Sequence, residues 1–189
     1  MGIRIFALLA PIVLLGGLWW YTSYYQSPVY RPENLQNTAT EPSKSAEKED
    51  APTDTLNLPA YRVLRVVDGD TLDVEKIGKV RLIGINAPES VKPDTMPECY
   101  GKEASEILKG LLGGESVRLV YDVERYDQYG RALAYVYRTP DGLFVNAELV
   151  RVGAAEAREY RPNTKQKEIL EDFEAIARQE RFGLWALCQ

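Results

Sequence analysis

Asp68 and Asp70 stand two apart in the run V-V-D-G-D-T. On an extended strand that spacing turns both carboxylates to one side, ~6.5 Å apart along the chain, which suits a hard cation. The glycine between them lets backbone approach closely. The same residues equally suit an ordinary Asp-Gly turn with Asp70 at the surface. Next comes R-L-I-G-I-N-A-P-E, a strand opening on Arg81 and ending in Asn86, Ala87, Pro88 and Glu89. Pro88 pushes Ala87 into an extended conformation, so this ending also reads as a plain turn. A third run, D-Q-Y-G-R-A-L-A-Y, places a glycine turn between Asp127 and a strand that begins at Arg131. Each fragment alone has an ordinary reading: a solvated edge arginine, a turn, a hairpin entry.

What chemistry these groups could do is narrowed by what the chain lacks. It contains no histidine and two cysteines. That excludes a Ser-His-Asp nucleophile, an imidazole base, a His-ligated zinc and a Cys-only zinc site. Catalysis must rest on carboxylates, Arg, Lys, Tyr and an oxygen-loving metal. Net charge is −5. The first 59 residues hold four of the 23 basic and six of the 28 acidic side chains, so the remainder is mildly acidic as well. A polyanion would have to be gripped by a local set of cations rather than by bulk basic charge.

The elements that must position these residues follow from periodicity. Tyr61–Val67 and Thr71–Ile77 alternate as strands around the Asp68-Gly69 turn signal, and Lys79–Ile85 is a third. Ala104, Ile107, Leu108, Leu111 and Leu112 give one apolar helix face, which Gly113-Gly114 ends. Val117, Leu119, Tyr121 and Val123 alternate as a fourth strand, and Arg131–Arg138 forms a fifth. A short helix over Asn146–Val152 and a longer one over Thr164–Gln179 follow, the latter lined by Ile169, Phe173, Ile176 and Ala177. Five short strands with a helix after the third predict an α+β, mainly β fold: a five-stranded OB barrel with about three appended helices over 60–189.

Ahead of that domain, Ile5–Tyr21 is uncharged, and Arg4 precedes it. Extended to Tyr25 it approaches the roughly 30 Å needed to cross a bilayer, with Trp19, Trp20, Tyr21, Tyr24 and Tyr25 as an aromatic belt. Residues 1–25 therefore read as a transmembrane anchor; a cleaved signal segment is the alternative, although no small-x-small site follows the apolar run. Either way the domain is exported. Residues 26–59 are rich in Pro, Glu, Ser and Thr and read as a disordered tether.

Taken together, D-G-D-T, R-L-I-G-I-N-A-P-E and Y-G-R-A-L-A-Y, in that order and spacing, resemble the thermonuclease (staphylococcal nuclease-like) family. The resemblance continues through Y-G-K-E-A at Tyr100–Ala104, V-N-A-E-L-V-R-V-G at Val145–Gly153 and G-L-W at Gly183–Trp185, and covers essentially residues 61–186. It implies an OB barrel and calcium-dependent hydrolysis of DNA and RNA, with another divalent cation as a possible substitute. Position by position, it implies that Asp70 is the carboxylate ligand, with Asn86 where the archetype has a second aspartate. Ala87 would offer its backbone carbonyl, and Asp68 would support the site through water. Glu89 would orient or deprotonate the attacking water, and Arg81 and Arg131 would flank the scissile phosphate. Tyr129, Tyr160 and Arg158 fall in the nucleotide-contact region, Arg158 replacing an aromatic. Two guanidiniums and a dication suit the charge that gathers on a five-coordinate phosphorus.

Cys99 and Cys188 would be free thiols in the cytosol but read as one disulfide outside it, contributing about 4–5 kcal/mol in the loop-entropy account. The expectation is a monomeric, membrane-tethered, extracytoplasmic nuclease with DNA and/or RNA as its partner and no protein partner. The competing reading is a non-catalytic OB module that binds nucleic acid or a protein.

Overall fold

The structure is a computed structural model and describes residues 57–91, 96–139 and 141–188. The expected anchor and nearly all of the expected tether lie outside these residues. Among the described residues no helix is long and apolar enough to cross a membrane.

Alternating apolar side chains build the barrel. In β1 (Ala60–Asp68), β2 (Thr71–Val74), β3 (Gly78–Leu82), β5 (Ser116–Val120) and β6 (Ala132–Thr139), one set of alternate residues points inward. Val63, Leu72, Val74, Val80, Leu82, Val117, Leu119, Ala132, Ala134 and Val136 are all buried. Their neighbours along the strands, Lys79 and Arg81 among them, are left outside, as the two-residue period of a strand requires. The strands close in the order β1-β2-β3-β6-β5. All pairings are antiparallel except β3 with β6, which run parallel. With α1 (Gly101–Leu112) between the third and fourth barrel strands, this is the OB architecture the sequence predicts.

The helices cover the barrel. Ala104, Leu108 and Leu112 fall on one stripe of α1 and are fully buried in the common core. In α2 (Val145–Arg151), the buried Asn146 accepts a hydrogen bond from Val136 N–H (2.9 Å) and donates to the Ile83 carbonyl (2.8 Å). A buried amide satisfied at both ends fixes the helix to β6 and to the turn after β3 at once. The lead-in to α3 (Lys167–Gln179) is docked by the buried Tyr135, whose hydroxyl accepts Gln166 N–H (3.2 Å) and donates to Asp122 (3.3 Å). Burial pushes that phenol up to about 12.

Three sequence expectations are corrected. The third strand does not run to Ile85: it stops at Leu82, turns at Ile83-Gly84 where φ is 78°, and resumes as β4 (Ile85–Asn86), which pairs with β7 (Glu156–Ala157) outside the barrel. The fourth strand ends at Val120, and Val123 is exposed. The longer helix begins at Lys167 rather than Thr164, and its buried stripe is Leu170, Phe173 and Ala177. Ile169 and Ile176, expected to line it, are 41% and 43% exposed, whereas Leu170 is 1% exposed. The short final helix α4 (Leu184–Leu187) completes the fold.

The corrected stripe has a direct consequence. Leu170→Ala should cost about 2–5 kcal/mol, the range for emptying a core leucine site, while Ile169→Ser and Ile176→Ser should each stay near neutral. Urea unfolding of the three variants decides which face the core uses; a larger loss from either isoleucine would reverse the assignment.

Candidate active site

The D-G-D run is the tip of a hairpin. Asp68 pairs with Thr71 as the last rung of β1 and β2, leaving Gly69 and Asp70 as the connection. The two aspartates therefore do not line one strand, which corrects the expectation of paired carboxylates on a common face. A Cβ at Gly69 would stand 2.7 Å from the Ala87 Cβ and 3.1 Å from the Ala104 Cβ. Only glycine lets α1 and the chain after β4 close on this tip.

Asp70 is thereby buried, with 7% of its surface exposed. Its Oδ1 accepts the Thr71 hydroxyl at 3.0 Å, and its Oδ2 accepts Ala87 N–H at 3.0 Å. The same Oδ2 lies 2.9 Å from Nη2 of Arg81, itself largely shielded from solvent. Arg81 reaches this point because Thr71 and Arg81 are opposite each other across β2 and β3. Its Nη1 donates to the Leu82 carbonyl at 2.8 Å, and Nη2 also donates to Asn86 Oδ1 at 3.3 Å. One guanidinium nitrogen thus holds the oxygens of Asp70 and Asn86 to itself. Tyr160 completes the group: its hydroxyl donates to Asn86 Oδ1 at 3.4 Å, and its ring centroid is 5.9 Å from the Arg81 guanidinium carbon. Pairing of Asn86 with Glu156 brings the 156–160 segment alongside.

Burial raises the Asp70 pKa; Arg81, the Ala87 amide and the Thr71 hydroxyl pull it down but do not cancel the desolvation.

A second cluster sits beside the first. Asp127 Oδ1 accepts the N–H groups of Tyr129 (2.9 Å) and Arg131 (2.9 Å), and its Oδ2 accepts Arg131 Nε at 2.7 Å. Burial works to raise the Asp127 pKa, but these hydrogen bonds outweigh it and hold the carboxyl below its usual range. Arg131 lies 5.6 Å from the Tyr129 ring centroid, and Tyr129 is 74% exposed. Parallel pairing of Arg81 with Leu133 puts Arg131, two residues earlier, on the same outward face as Arg81. Strand rise and spacing set their Cα atoms about 8 Å apart. The two arginines therefore start from neighbouring points, one on β3 and one at the entry to β6.

The remaining expected residues stand as follows. Asp68 Oδ1 accepts Gly69 N–H (2.8 Å) and the Ser90 hydroxyl, so it braces the hairpin tip to the chain after Pro88. Glu89 is partly exposed two residues beyond Ala87, with its Oε1 accepting Val91 N–H at 3.0 Å. Arg158 is exposed, and its backbone N–H is bonded to the Gly84 carbonyl at 2.8 Å. Cys99 and Cys188 form a disulfide, with Cα atoms 5.8 Å apart. The structure brings Asp70, Arg81, Asn86, Ala87 and Tyr160 into mutual contact, and places Arg131 and Tyr129 together. Thr71 and Ser90, to which the sequence reading gives no role, hold the two aspartates; Thr71 closes the D-G-D-T run and Ser90 directly follows Glu89.

Among the described residues no three His, Cys, Asp or Glu side chains cluster as a metal site. The oxygens that meet here are one buried carboxylate and the Asn86 amide oxygen, with the Ala87 backbone alongside. Neutral oxygens around a single anion are a donor set for a hard dication bound through few protein ligands, so the chemistry of the residues fits one.

A buried carboxylate paired with one arginine, near a second arginine held by its own carboxylate, suits a phosphodiester-cleaving hydrolase on an OB barrel. The profile of the family described as "Staphylococcal nuclease homologue" matches residues 79–187. A thermonuclease of Staphylococcus hyicus is 41% identical over 152 residues, covering 79% of this chain and 86% of that protein. A thermonuclease of Staphylococcus intermedius is 43% identical over 129 residues, 67% of this chain and 76% of that protein. An uncharacterized endonuclease of Escherichia coli O157:H7 is 41% identical over 128 residues, 66% of this chain and 76% of that protein. The chain belongs to the staphylococcal nuclease family, and it is an enzyme of the nuclease class.

The raised Asp70 pKa has a testable sign. A carboxyl whose folded pKa exceeds its unfolded one stabilises the fold most below the unfolded value of about 3.8, and loses that contribution as pH rises through the folded pKa. At neutral pH the ionised side chain weighs against folding. The stability of the wild type relative to Asp70→Asn should therefore rise as pH falls through the folded pKa, read as the melting difference between the two across pH. A difference that does not change with pH, or that changes in the opposite sense, would contradict this.

Proposed function

We propose that this chain is a calcium-dependent nuclease that hydrolyses phosphodiester bonds of DNA and/or RNA outside the cytoplasm, tethered to the membrane by residues 1–25. The observation that carries the reading is the junction at Arg81, where a phosphate-binding guanidinium and the Asp70 and Asn86 oxygens meet at one nitrogen. Anion- and cation-binding groups in contact are what a phosphodiester bound together with a dication would require.

In this reading Asp70, the Asn86 side-chain oxygen and the Ala87 carbonyl hold the calcium, and Asp68 supports them through the hairpin tip. Calcium, when bound, supplies positive charge that offsets the phosphate and acidifies a nearby water. Glu89 takes the proton from the attacking water, since the chain has no imidazole. Arg81 and Arg131, on one face of β3 and β6, hold the non-bridging oxygens as their charge grows. The planar fork of each arginine meets two oxygens at once, which a lysine could not do. Tyr129 and Tyr160, both exposed beside these arginines, offer a phosphate contact and a ring for base stacking, and Arg158 offers a further phosphate contact. The Cys99–Cys188 disulfide supports an oxidising compartment, because such bonds persist outside the cytosol.

The test is degradation of plasmid DNA and of RNA, with calcium, with magnesium and with chelator, by purified enzyme and by intact cells given the DNA externally. Cleavage should require calcium, stop with chelator and occur with intact cells. Glu89→Gln, Arg81→Ala and Arg131→Ala should each lose on the order of 10²-fold or more in kcat. Full activity in Glu89→Gln and Arg81→Ala would overturn the mechanism, and cleavage only after lysis would overturn the location.

A further inference from the structure

Glu89 sits in an irregular stretch of chain two residues beyond Ala87, and its carboxylate accepts Val91 N–H, so a catalytic role requires that something hold it. Its backbone is gripped on both sides by one residue. Glu98 N–H donates to the Glu89 carbonyl at 2.8 Å, and Glu89 N–H donates to the Glu98 carboxylate Oε2 at 3.0 Å. This reciprocal pair fixes both polar groups of the Glu89 backbone, and with them the origin of the side chain. Two chain segments nine residues apart are locked together at the residue whose carboxylate must meet water.

Glu98 is itself tied down through its neighbour. Gly101 N–H donates to the Glu98 carbonyl at 3.0 Å as the chain enters α1, and Cys99 is bonded to Cys188. The far end of that bridge is not a loose terminus. Gly153 and Gly183 cross backbone to backbone, a Cβ on either meeting a carbonyl oxygen of the other segment at 2.2 Å. Leu184 N–H donates to the Gly153 carbonyl at 2.9 Å, Leu184 is buried, and Cys188 N–H closes on the Leu184 carbonyl at 2.9 Å. A continuous chain of bonds thus runs from the corner after α2, through α4 and the disulfide, to Glu98 and on to Glu89.

We propose that Glu98 is a positioning residue for Glu89, held in register by the Cys99–Cys188 disulfide; this rests on the reading of Glu89 as the group that activates water. The Glu98 carboxylate is exposed and contributes little to global stability. Its effect falls on where Glu89 sits, and displacement of a catalytic group by about 1 Å can cost up to 10²-fold in rate. Position, not fold, is what it controls.

The experiment measures kcat, KM and melting temperature on a labelled oligonucleotide with calcium. Glu98→Ala should lower kcat about tenfold with KM and melting temperature near wild type. Glu98→Gln should retain most of kcat, because its amide oxygen still accepts Glu89 N–H. The double variant E89Q/E98A should be no slower than E89Q, since a group that acts through Glu89 has nothing left to position. C99S/C188S, assayed well below its own melting temperature, should reproduce the loss in kcat. Wild-type kcat in Glu98→Ala or in C99S/C188S, or additive losses in E89Q/E98A, would overturn the proposal while an inactive E89Q left the nuclease mechanism standing. Full activity of E89Q alone would remove the mechanism itself.

Discussion

A carboxylate out of water must be compensated by its surroundings, and in this protein that carboxylate is Asp70. It sits at a hairpin tip where glycine lets Ala87 and Ala104 press close, and its oxygens are taken by the Thr71 hydroxyl, the Ala87 amide and the Arg81 guanidinium. Desolvation still exceeds what these donors return, because its pKa stays raised. An anion kept at a cost to the fold is common where function needs it. The rest of the site is arranged around it: Arg81 is bound to it, Asn86 is drawn in by Arg81, and Glu89 follows two residues after the amide that caps it.

The barrel supplies the geometry. Its two-residue period sends Val80 and Leu82 inward and leaves Arg81 outward between them, while the parallel register with β6 places Arg131 on the same face. Two like charges on one surface repel, and each is held by its own carboxylate, Arg81 by Asp70 and Arg131 by Asp127. In the proposed mechanism these pairings hold the guanidiniums in place before any phosphate arrives, so that less reorganisation is needed when charge develops. The cap formed by β4, β7 and the 156–160 segment then brings Tyr160 over Arg81, joining a late part of the chain to the first hairpins.

Much of this was legible in the residues. The five barrel strands announce themselves by alternation, and Gly113-Gly114 marks the end of α1. The expected site residues come from three short motifs and their order, and the structure brings Asp70, Arg81, Asn86, Ala87 and Tyr160 of that set together. What did not show is non-local. The unbroken apolar run from Leu82 to Ile85 hides the turn at Gly84, because periodicity does not register a chain that leaves one sheet for another. In α3, Ile169 and Ile176 stand seven residues apart on one flank of the true stripe and make an apolar line of their own with Phe173; only the barrel decides that Leu170 is the one buried. The D-G-D spacing suggests two carboxylates in line, whereas the hairpin buries one and leaves the other bracing Ser90. Glu98 carries no local signal at all, since its partner lies across a loop.

If Asp70 is the anion on which the site is built, it must dominate the affinity for the cation, and Asn86 must be the weaker companion. Calorimetric titration of calcium into the wild type, Asp70→Asn and Asn86→Asp tests this directly. Asp70→Asn should abolish measurable binding, and Asn86→Asp should tighten it by about tenfold, since calcium affinity follows the number of charged ligands. Calcium binding by Asp70→Asn at wild-type strength would contradict the account.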